Sequence, residues 1–344
     1  MAAAHAPTRM LREAAEGPDV VARQFARNRA AARTIGARLR DLNPRAVVTG
    51  ARGSSDHAAT FAKYLIETKT GIITSSTGMS ISSVYETRPK FDRVLFLAIS
   101  QSGKSPDLLA TVAAAKAGGA YVVALVNDDA SPLASLADSV LPLHAGPEAS
   151  VAATKTYLAS VAAVADLVAE WTGDAELHAA LGGLPALMRE AWTCDWTGAV
   201  RQLAPARDLY TIGRGLGFGA AQEWALKFKE TCGLHAEAFS SAEVRHGPMA
   251  LVKAGFPVLL LAQNDQTRPG LQELAAKLVA TGASVLVAGF EQKGATALPF
   301  VAAHPALEPI VLTQSFYRML DALALERGID PDRPPNLNKI TETL

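Results

Sequence analysis

A short polar loop is the part of the sequence with the clearest chemical potential. It spans Ser100–Ser105, with the sequence SQSGKS, between the apolar run Val94–Ile99 and an Ala/Leu-rich stretch that begins at Pro106. Proline is favoured in the first turn of a helix, so the loop should offer free backbone N–H groups at the positive end of a helix dipole. Four side chains add neutral hydrogen-bond donors: Ser100, Gln101, Ser102 and Ser105. The pattern predicts a site for a phosphate monoester, and with it a phosphorylated metabolite.

Two nucleotide-binding patterns resemble parts of the chain without matching them. A P-loop requires G-x-x-x-x-G-K-[ST], but the position of its first glycine is Ala98, inside the apolar run. Gly215, Gly217 and Gly219 partly match a dinucleotide fingerprint, but no acidic residue follows at the required spacing. A third alternative needs no ligand, because a serine-rich turn can simply cap the following helix. The residues by themselves leave the cap and the anion site both open.

These side chains need a rigid sheet edge to position them, and the pattern of apolar runs supplies one. Short β-rich runs alternate with Ala/Leu-rich amphipathic segments, and the runs are continuously apolar rather than alternating. Strands of this kind are covered on both faces, which indicates an α/β fold with parallel sheets. The predicted strands are Arg45–Thr49, Val94–Ile99, Tyr121–Val126 and Ser139–Leu143, then Asp208–Ile212, Pro257–Ala262, Ser284–Ala288 and Leu307–Leu312.

The two series of strands indicate an internal duplication. Val47–Glu67 parallels Tyr210–Glu230, and Leu97–Leu125 parallels Leu260–Ala288, in both cases at an offset of 163 residues. The loop after the second predicted strand differs between the halves, because the later half carries Asp265, which would repel a phosphate. We therefore expect one anion site per chain, in the first half.

The remaining segments predict the domain organisation. Residues 1–34 are expected to form an N-terminal helical extension, 35–190 the first domain and 191–328 the second. A long helical region, roughly Val151–Leu187, links the two halves. Residues 329–344 form an irregular tail, because its prolines exclude helix and strand.

The composition of the chain argues against nucleic-acid binding, metal binding by cysteines and insertion into a membrane. The chain has 344 residues with 33 Lys+Arg and 33 Asp+Glu, and this charge balance does not favour a nucleic-acid partner. Its two cysteines, Cys194 and Cys232, lack metal-ligand spacing and fit a reducing compartment. No apolar run approaches the roughly 18 residues of a membrane span, and the N-terminus does not read as a signal peptide. We expect a cytoplasmic protein without a membrane partner.

A longer set of motifs allows a family resemblance. Residues 225–249 read ALKFKETCGLHAEAFSSAEVRHGPM, and residues 335–339 read PNLNK. The first half adds RGSS at 52–55, SQSG at 100–103, and AGPE at 145–148 followed by VAATK at 151–155. In this order the motifs resemble those of the double-domain branch of the sugar isomerase (SIS) family. Within that branch the chain resembles the isomerase halves of glucosamine-6-phosphate synthases and stand-alone SIS-type glucosamine-6-phosphate deaminases, and the resemblance covers essentially the whole chain.

The resemblance implies a fold and a set of roles. It implies two tandem SIS domains, each a parallel flavodoxin-like sheet flanked by helices. Glu230 would move a proton between C1 and C2 of the sugar, and His246 would open its ring from a neighbouring subunit, which implies a homodimer. Lys227 would polarise the oxygens and Lys339 would close the site with the tail. The residues implied to bind the sugar phosphate are Ser54, Ser55, Ser100, Gln101, Ser102 and Ser105, with backbone near Ala153 lining the sugar.

The residue types suit this chemistry. A single carboxylate can take a proton from C2 of an open-chain sugar and return it to C1, and an imidazole titrates in the range needed for ring opening. No metal or organic cofactor is expected. His235 and Glu237 look equally chemical, but we expect them to support the site rather than to react. Without the resemblance, Glu230 would read as a helix-end carboxylate and His246 as a turn histidine.

The expected reaction is the hydrolytic deamination of glucosamine 6-phosphate to fructose 6-phosphate and ammonia. The synthases carry a glutaminase domain with an N-terminal cysteine, whereas no cysteine precedes Cys194 in this sequence. Lys104 also stands where those enzymes have an acid. Three alternatives remain: a galactosamine-6-phosphate deaminase, a deglycase acting on a phosphorylated fructosamine, and a non-enzymatic regulator that binds a sugar phosphate.

Overall fold

The computed structural model describes residues 6–339. Residues 1–5 of the predicted N-terminal extension and residues 340–344 of the predicted tail lie outside the described residues. The described chain divides into two compact units: one contains residues 19–146 and 156–185, and the other contains residues 6–18, 147–155 and 186–339. The domain boundaries expected from the sequence stay a prediction, because compactness does not test which segments fold on their own.

One unit is built on a five-stranded parallel sheet, and we call it the β1–β5 unit. Its strands are β1 (Ala46–Gly50), β2 (Thr74–Ser76), β3 (Val94–Ser100), β4 (Tyr121–Val126) and β5 (Ser139–Pro142). They lie in the order β2-β1-β3-β4-β5, and every residue of the central strand β3 is buried. The helices are most of α2 (Gly17–Leu42), α3 (Ser54–Thr70), α4 (Ser80–Ser83), α5 (Pro106–Ala117), α6 (Pro132–Leu136), most of α7 (Lys155–Thr172), and α8 (Ala175–Ala191) as far as Pro185.

The other unit, the β6–β10 unit, repeats this topology. Its strands are β6 (Asp208–Gly213), β7 (His235–Ser240), β8 (Pro257–Leu261), β9 (Ser284–Ala288) and β10 (Thr296–Leu298). The order is β10-β9-β8-β6-β7, which is the order of the first sheet read from its other edge. The helices wholly in this unit are α1 (Arg9–Ala15), α9 (Thr197–Leu203), α10 (Leu216–Cys232), α11 (Arg268–Ala280) and α12 (Glu308–Glu326). The predicted α/β class with two flavodoxin-like sheets is confirmed.

The duplication is visible in the backbone, with one correction to the predicted offset. Helices α3 and α10 both have 17 residues, and each follows a glycine in nearly the same positive-φ conformation: Gly53 (φ 53°, ψ −131°) and Gly215 (φ 57°, ψ −127°). These glycines are 162 residues apart, whereas β3 and β8 begin 163 residues apart. The constant offset of 163 is therefore wrong for the first loop and helix. Arg52, which precedes Gly53, corresponds to Arg214.

Several elements differ from the sequence-based expectation. The predicted strand Leu307–Leu312 is wrong, because these residues lead into the buried helix α12, and a short apolar run alone cannot distinguish the two. Strands β2, β7 and β10 were missed because they are short or polar strands at or next to sheet edges. The expected linking helix is two helices, α7 and α8. The helical part of the N-terminal extension runs on to Leu42, and residues 329–339 contain neither helix nor strand.

Aromatic packing holds α10 against α12. The ring of Trp224 stacks on Phe316 with centroids 4.7 Å apart and an interplanar angle of 5°, and Trp196 meets Trp224 edge-on at 5.8 Å. The indole N–H of Trp224 donates a hydrogen bond to Thr313 Oγ1 at 3.1 Å. Because all these rings are buried, α10 has a defined rotation about its axis, which determines which side chains leave the core. No helix within residues 6–339 is long and apolar enough to cross a membrane.

A buried carboxyl group lies among the helices of the β1–β5 unit. Asp166 of α7 lines a cavity of about 460 Å³ with Glu170, His178 and Arg29. The pKa of Asp166 is raised to about 6, chiefly by burial and also by the neighbouring Glu170, whereas His178 and Arg29 oppose the shift. The folded protein therefore binds this proton more tightly than the unfolded chain does.

We expect Asp166→Asn to make folding less dependent on pH. With a folded pKa of about 6 against 3.8 unfolded, the contribution of protonated Asp166 is fully present below about pH 4 and is lost as pH rises through 6. At pH 8 the variant should exceed the wild type in unfolding free energy by up to about 3 kcal/mol, and the difference should vanish near pH 4. Urea unfolding across this pH range measures it. Asp41→Asn, on the exposed face of α2, is the matched control, and a pH-independent difference for Asp166→Asn would contradict the assignment.

Candidate active site

The predicted anion loop is a tight strand-to-helix connection in the β1–β5 unit. Ser100 ends β3, and its Oγ accepts a hydrogen bond from the backbone N–H of Gly103 at 3.0 Å. A Cβ at Gly103 would lie 2.3 Å from Ser131 Oγ, so only glycine fits this turn. Ser105 precedes α5, but its side chain makes no capping hydrogen bond. Ser105 therefore does not supply the cap that the ligand-free alternative requires, whereas Asp107 Oδ1 accepts a hydrogen bond from the backbone N–H of Leu108 at 2.8 Å.

Both cations beside this loop are already paired with carboxylates. The guanidinium of Arg52 donates to Asp107 Oδ2 at 3.0 and 2.7 Å, and Asp107 is buried. The ammonium of Lys104 lies 3.0 Å from Asp128 Oδ2, and this hydrogen bond lowers the pKa of Asp128. An anion at the loop would therefore meet mainly neutral donors.

The second predicted binding segment begins α3 on the neighbouring strand. Ser54 and Ser55 are the first two residues of this helix, and both are partly buried. Because β1 and β3 are adjacent parallel strands, their carboxyl ends share one edge of the sheet. The Arg52–Asp107 ion pair ties the start of α3 to the start of α5. The sequence-predicted serines therefore lie on two loops of the same sheet edge.

An ionic cluster lies on α10 in the β6–β10 unit. The Nζ atom of Lys227 is 2.5 Å from Glu230 Oε2 and 3.5 Å from Glu223 Oε1. The side chains of Lys227 and Glu223 are 1% and 0% exposed, whereas Glu230 is 19% exposed. Burial by itself would lower the pKa of Lys227, but the two carboxylates outweigh it and raise that pKa. The two carboxylates thus favour the protonated form of Lys227, which lies beside a carboxylate that solutes can reach.

Glu148 extends this cluster and was missed as a site residue from the sequence. Its carboxylate accepts hydrogen bonds from the backbone N–H of Thr154 at 2.9 Å and from Lys339 Nζ at 3.4 Å. Its charge also contributes to the raised pKa of Lys227. The side chain of Glu148 is fully buried, and the hydroxyl of neighbouring Thr154 is buried without a hydrogen-bond partner in the described chain. Glu148 belongs to the AGPE motif at 145–148, which supported the family resemblance. Its contact with Lys339, a predicted site residue, is visible only in the folded chain.

Helix α1 holds the segment that carries Glu148. The carboxylate of Glu13 accepts hydrogen bonds from the backbone N–H groups of Ala149 at 2.6 Å and Ser150 at 3.0 Å. Glu16 pairs with the buried ammonium of Lys155 at 2.7 Å. The half-buried Ala153, predicted to line the sugar, lies between these two anchors. The N-terminal helix therefore positions a candidate substrate-binding segment.

His246 is separate from this cluster within its own β6–β10 unit. It is exposed at the end of the 3₁₀ turn Glu243–Arg245. Among residues 6–339, neither a hydrogen bond nor an ion pair joins it to Glu230 or Lys227. It lines a different cavity, of about 340 Å³, with Arg214 and Arg245.

Comparison with known proteins identifies the family. The SIS domain profile matches residues 42–169 and 202–289. The chain belongs to the SIS domain family. It is 36% identical over 362 residues to the glutamine–fructose-6-phosphate aminotransferase (isomerizing) of Aeropyrum pernix, a match covering 97% of this chain and 57% of that protein. The chain spans about half the length of the curated relatives it matches.

Solved structures of SIS proteins extend the comparison. A protein from Silicibacter pomeroyi DSS-3, assigned provisionally as a phosphosugar isomerase, is 45% identical, with a TM-score of 0.91 over 95% of this chain and 100% of that one. The glucosamine-6-phosphate deaminase of Thermotoga maritima has a TM-score of 0.77 over 98% of this SIS chain and 100% of its own. At 22% identity, that likeness shows the fold alone. The family resemblance inferred from the motifs is confirmed.

We expect Lys227→Met to destabilise the SIS chain by about 3–5 kcal/mol, because it leaves the carboxylate of Glu223 buried without its counter-charge. Adding Glu223→Gln should recover part of this loss, since the double variant removes both charges. Urea unfolding of the single and double variants measures the coupling. Lys277→Met is the matched control, because Lys277 and Glu273 form an exposed pair of the same i, i+4 spacing and should cost under about 1 kcal/mol. Equal losses for the two lysine variants would contradict a stabilising buried cluster.

Proposed function

We propose that this SIS chain catalyses the hydrolytic deamination of an amino-sugar phosphate, with glucosamine 6-phosphate and water giving fructose 6-phosphate and ammonia. The observation that carries the proposal is the α10 cluster, in which a partly open carboxylate, Glu230, lies 2.5 Å from a buried ammonium, Lys227. A carboxylate beside a fixed proton donor suits a reaction that moves a proton between adjacent carbons and charges an oxygen on the way.

The proposed course conserves atoms and protons. His246 opens the pyranose ring to the aldehyde. Glu230 removes the C2 proton while Lys227 donates a hydrogen bond to O1, and O1 takes up a proton from solvent as the enolamine forms. Glu230 returns the C2 proton to C1, which leaves a protonated imine at C2. Water adds to this imine, and ammonia and a proton leave to give the ketose.

The same proposal assigns the phosphate to the serine loops. The N-terminus of α5 adds the positive end of its helix dipole. Neutral donors come from Ser54, Ser55, Ser100, Gln101, Ser102 and Ser105. Since Arg52 and Lys104 are paired with acids, the phosphate is held by hydrogen bonds and the helix dipole rather than by a free cation. Binding energy gained at the phosphate then orients the reacting carbons. Backbone near Ala153 lines the sugar, and Lys339 brings the tail to the site.

The Aeropyrum pernix relative supports this class of reaction, because it is named for a reaction on fructose 6-phosphate. That name favours one further candidate: amination of fructose 6-phosphate by ammonia, which is the same reaction run in reverse. The pocket chemistry is identical in both directions, so the equilibrium and the supply of ammonia decide the direction.

Purified, chelator-treated protein should release ammonia from glucosamine 6-phosphate, and Glu230→Gln should lower kcat by at least about 100-fold, because the amide cannot accept the C2 proton. Glu326→Gln, at an exposed position at the end of α12, is the matched control and should retain wild-type turnover. A coupled ammonia assay measures both.

Turnover by Glu230→Gln at the wild-type rate would refute the assigned base. A panel with galactosamine 6-phosphate and fructosamine 6-phosphate distinguishes the related substrates. Tight binding of fructose 6-phosphate without turnover of any of them would indicate a sugar-phosphate-binding regulator instead.

We also propose that the chain is a homodimer in which His246 serves the partner's site, since it is exposed and unlinked to Glu230 in its own chain. Co-expressing Glu230→Gln and His246→Ala chains with different tags should restore about a quarter of wild-type activity, because half of randomly formed dimers are mixed and each has one intact site. Activity of the isolated mixed dimer measures this. An inactive mixed dimer would contradict a shared site.

A further inference from the structure

A second polar cavity lies at the carboxyl edge of the β6–β10 sheet. Its volume is about 340 Å³, and its lining comes from three loops of that unit. Arg214 follows β6, Ser241 follows β7, and Thr267 precedes α11. This is the crevice in which parallel α/β sheets of this strand order bind ligands.

Comparison of the two repeats shows that the arginine before the positive-φ glycine has an acidic partner in one unit and lacks it in the other. In the β1–β5 unit, the guanidinium of Arg52 is occupied by Asp107, which follows Pro106 at the start of α5. The corresponding residues at the start of α11 are Pro269 and Gly270, so the acid is replaced by a glycine that lines the cavity. Arg214, the counterpart of Arg52, makes no side-chain hydrogen bond or ion pair within residues 6–339. The duplicated unit therefore keeps the arginine but not its counter-charge.

The other charges around the cavity leave a positive excess. Glu273 is the only acid in the lining among the described residues, and its carboxylate is shared between Arg245 at 3.4 Å and Lys277 at 2.6 Å. His246 also lines the cavity. Asp265, expected from the sequence to repel an anion, accepts hydrogen bonds from Gln263 Nε2 at 2.9 Å and from Thr267 at its backbone N–H (2.8 Å) and hydroxyl (2.5 Å). The charge of Asp265 is thus met by three hydrogen-bond donors, two of them from Thr267, and Asp265 itself is not part of the cavity lining.

We propose that this cavity is a second anion site, which binds a phosphate group through Arg214. A guanidinium presents paired N–H donors that match two phosphate oxygens. The 13-residue helix α11 begins beside it, and Thr267 provides no side-chain cap for its first N–H groups. The first unit would recognise phosphate by neutral donors and the second by a free arginine. This inference does not depend on the proposed deaminase activity, because it concerns binding alone.

The space around Gly270 makes the proposal testable by restoring the missing acid. A Cβ at Gly270 would meet no atom within 4 Å, and its φ is not positive, so a side chain fits without strain. Gly270→Asp should supply Arg214 with the partner that Asp107 gives Arg52. Gly270→Asn is the matched uncharged control. Arg214→Gln removes the cation itself, and Arg201→Gln, an exposed arginine of α9, controls for loss of charge in the same unit.

Calorimetric titration with inorganic phosphate measures the site in the full-length protein. We expect the wild type and the controls Gly270→Asn and Arg201→Gln to bind two phosphates per chain. In Arg214→Gln and in Gly270→Asp, the affinity of one of the two binding events should fall at least about tenfold. Repeating the titration with glucose 6-phosphate distinguishes the sources: tighter binding of the sugar phosphate at the Arg214-dependent event indicates a sugar-phosphate site, and equal binding indicates a site for free phosphate. The proposal is overturned if folded Arg214→Gln and Gly270→Asp bind as many phosphates as their controls, with affinities within threefold of the control values.

Discussion

The ammonium of Lys227 is almost wholly withdrawn from water, and the arrangement of the β6–β10 unit around α10 follows from the need to replace that solvation. An unpaired buried ammonium costs several kcal/mol, so carboxylates must surround it. Glu223 and Glu230 do so from the same helix, and Glu148 adds its charge from the segment that α1 holds in place. Because Glu223 and Glu148 are buried, Glu230 is the carboxylate left available to a solute. The carboxylates that compensate the buried charge of Lys227 thus include one, Glu230, that forms a candidate acid–base site.

The two repeats show how one scaffold can carry different chemistry. Both units place an arginine before a positive-φ glycine and a 17-residue helix, so the backbone of this loop is retained. In the first unit Asp107 neutralises Arg52, and the exposed chemistry of the edge belongs to serine hydroxyls and backbone N–H groups. In the second unit Gly270 leaves Arg214 without an acid. A single side chain at the start of a helix therefore decides whether the arginine is structural or available to an anion.

Much of the fold could be predicted because parallel strands covered on both faces read as continuous apolar runs. The predicted strands that became β3, β4, β8 and β9 were located in this way, and so was the anion loop, since a strand followed by SQSGKS and a proline is a local signal. The signal failed where burial depended on partners far along the chain. The run Leu307–Leu312 was read as a strand, but it forms the buried first turn of helix α12, which packs on Trp224 through Phe316. The polar sequence of β7 gave no strand signal, because its pairing with β6 defines it.

The same division applies to the candidate site. The sequence by itself determined the family, the two-sheet architecture and the residue types available for chemistry, because these depend on local pattern and on the order of short motifs along the chain. Only the tertiary structure decided that Glu148 meets Lys339, that Lys227 is held between two carboxylates, and that Arg214 lacks the acid that Arg52 has. Each of these depends on the burial and distance of groups far apart in sequence, and the free energy of a charge is determined by what surrounds it in space.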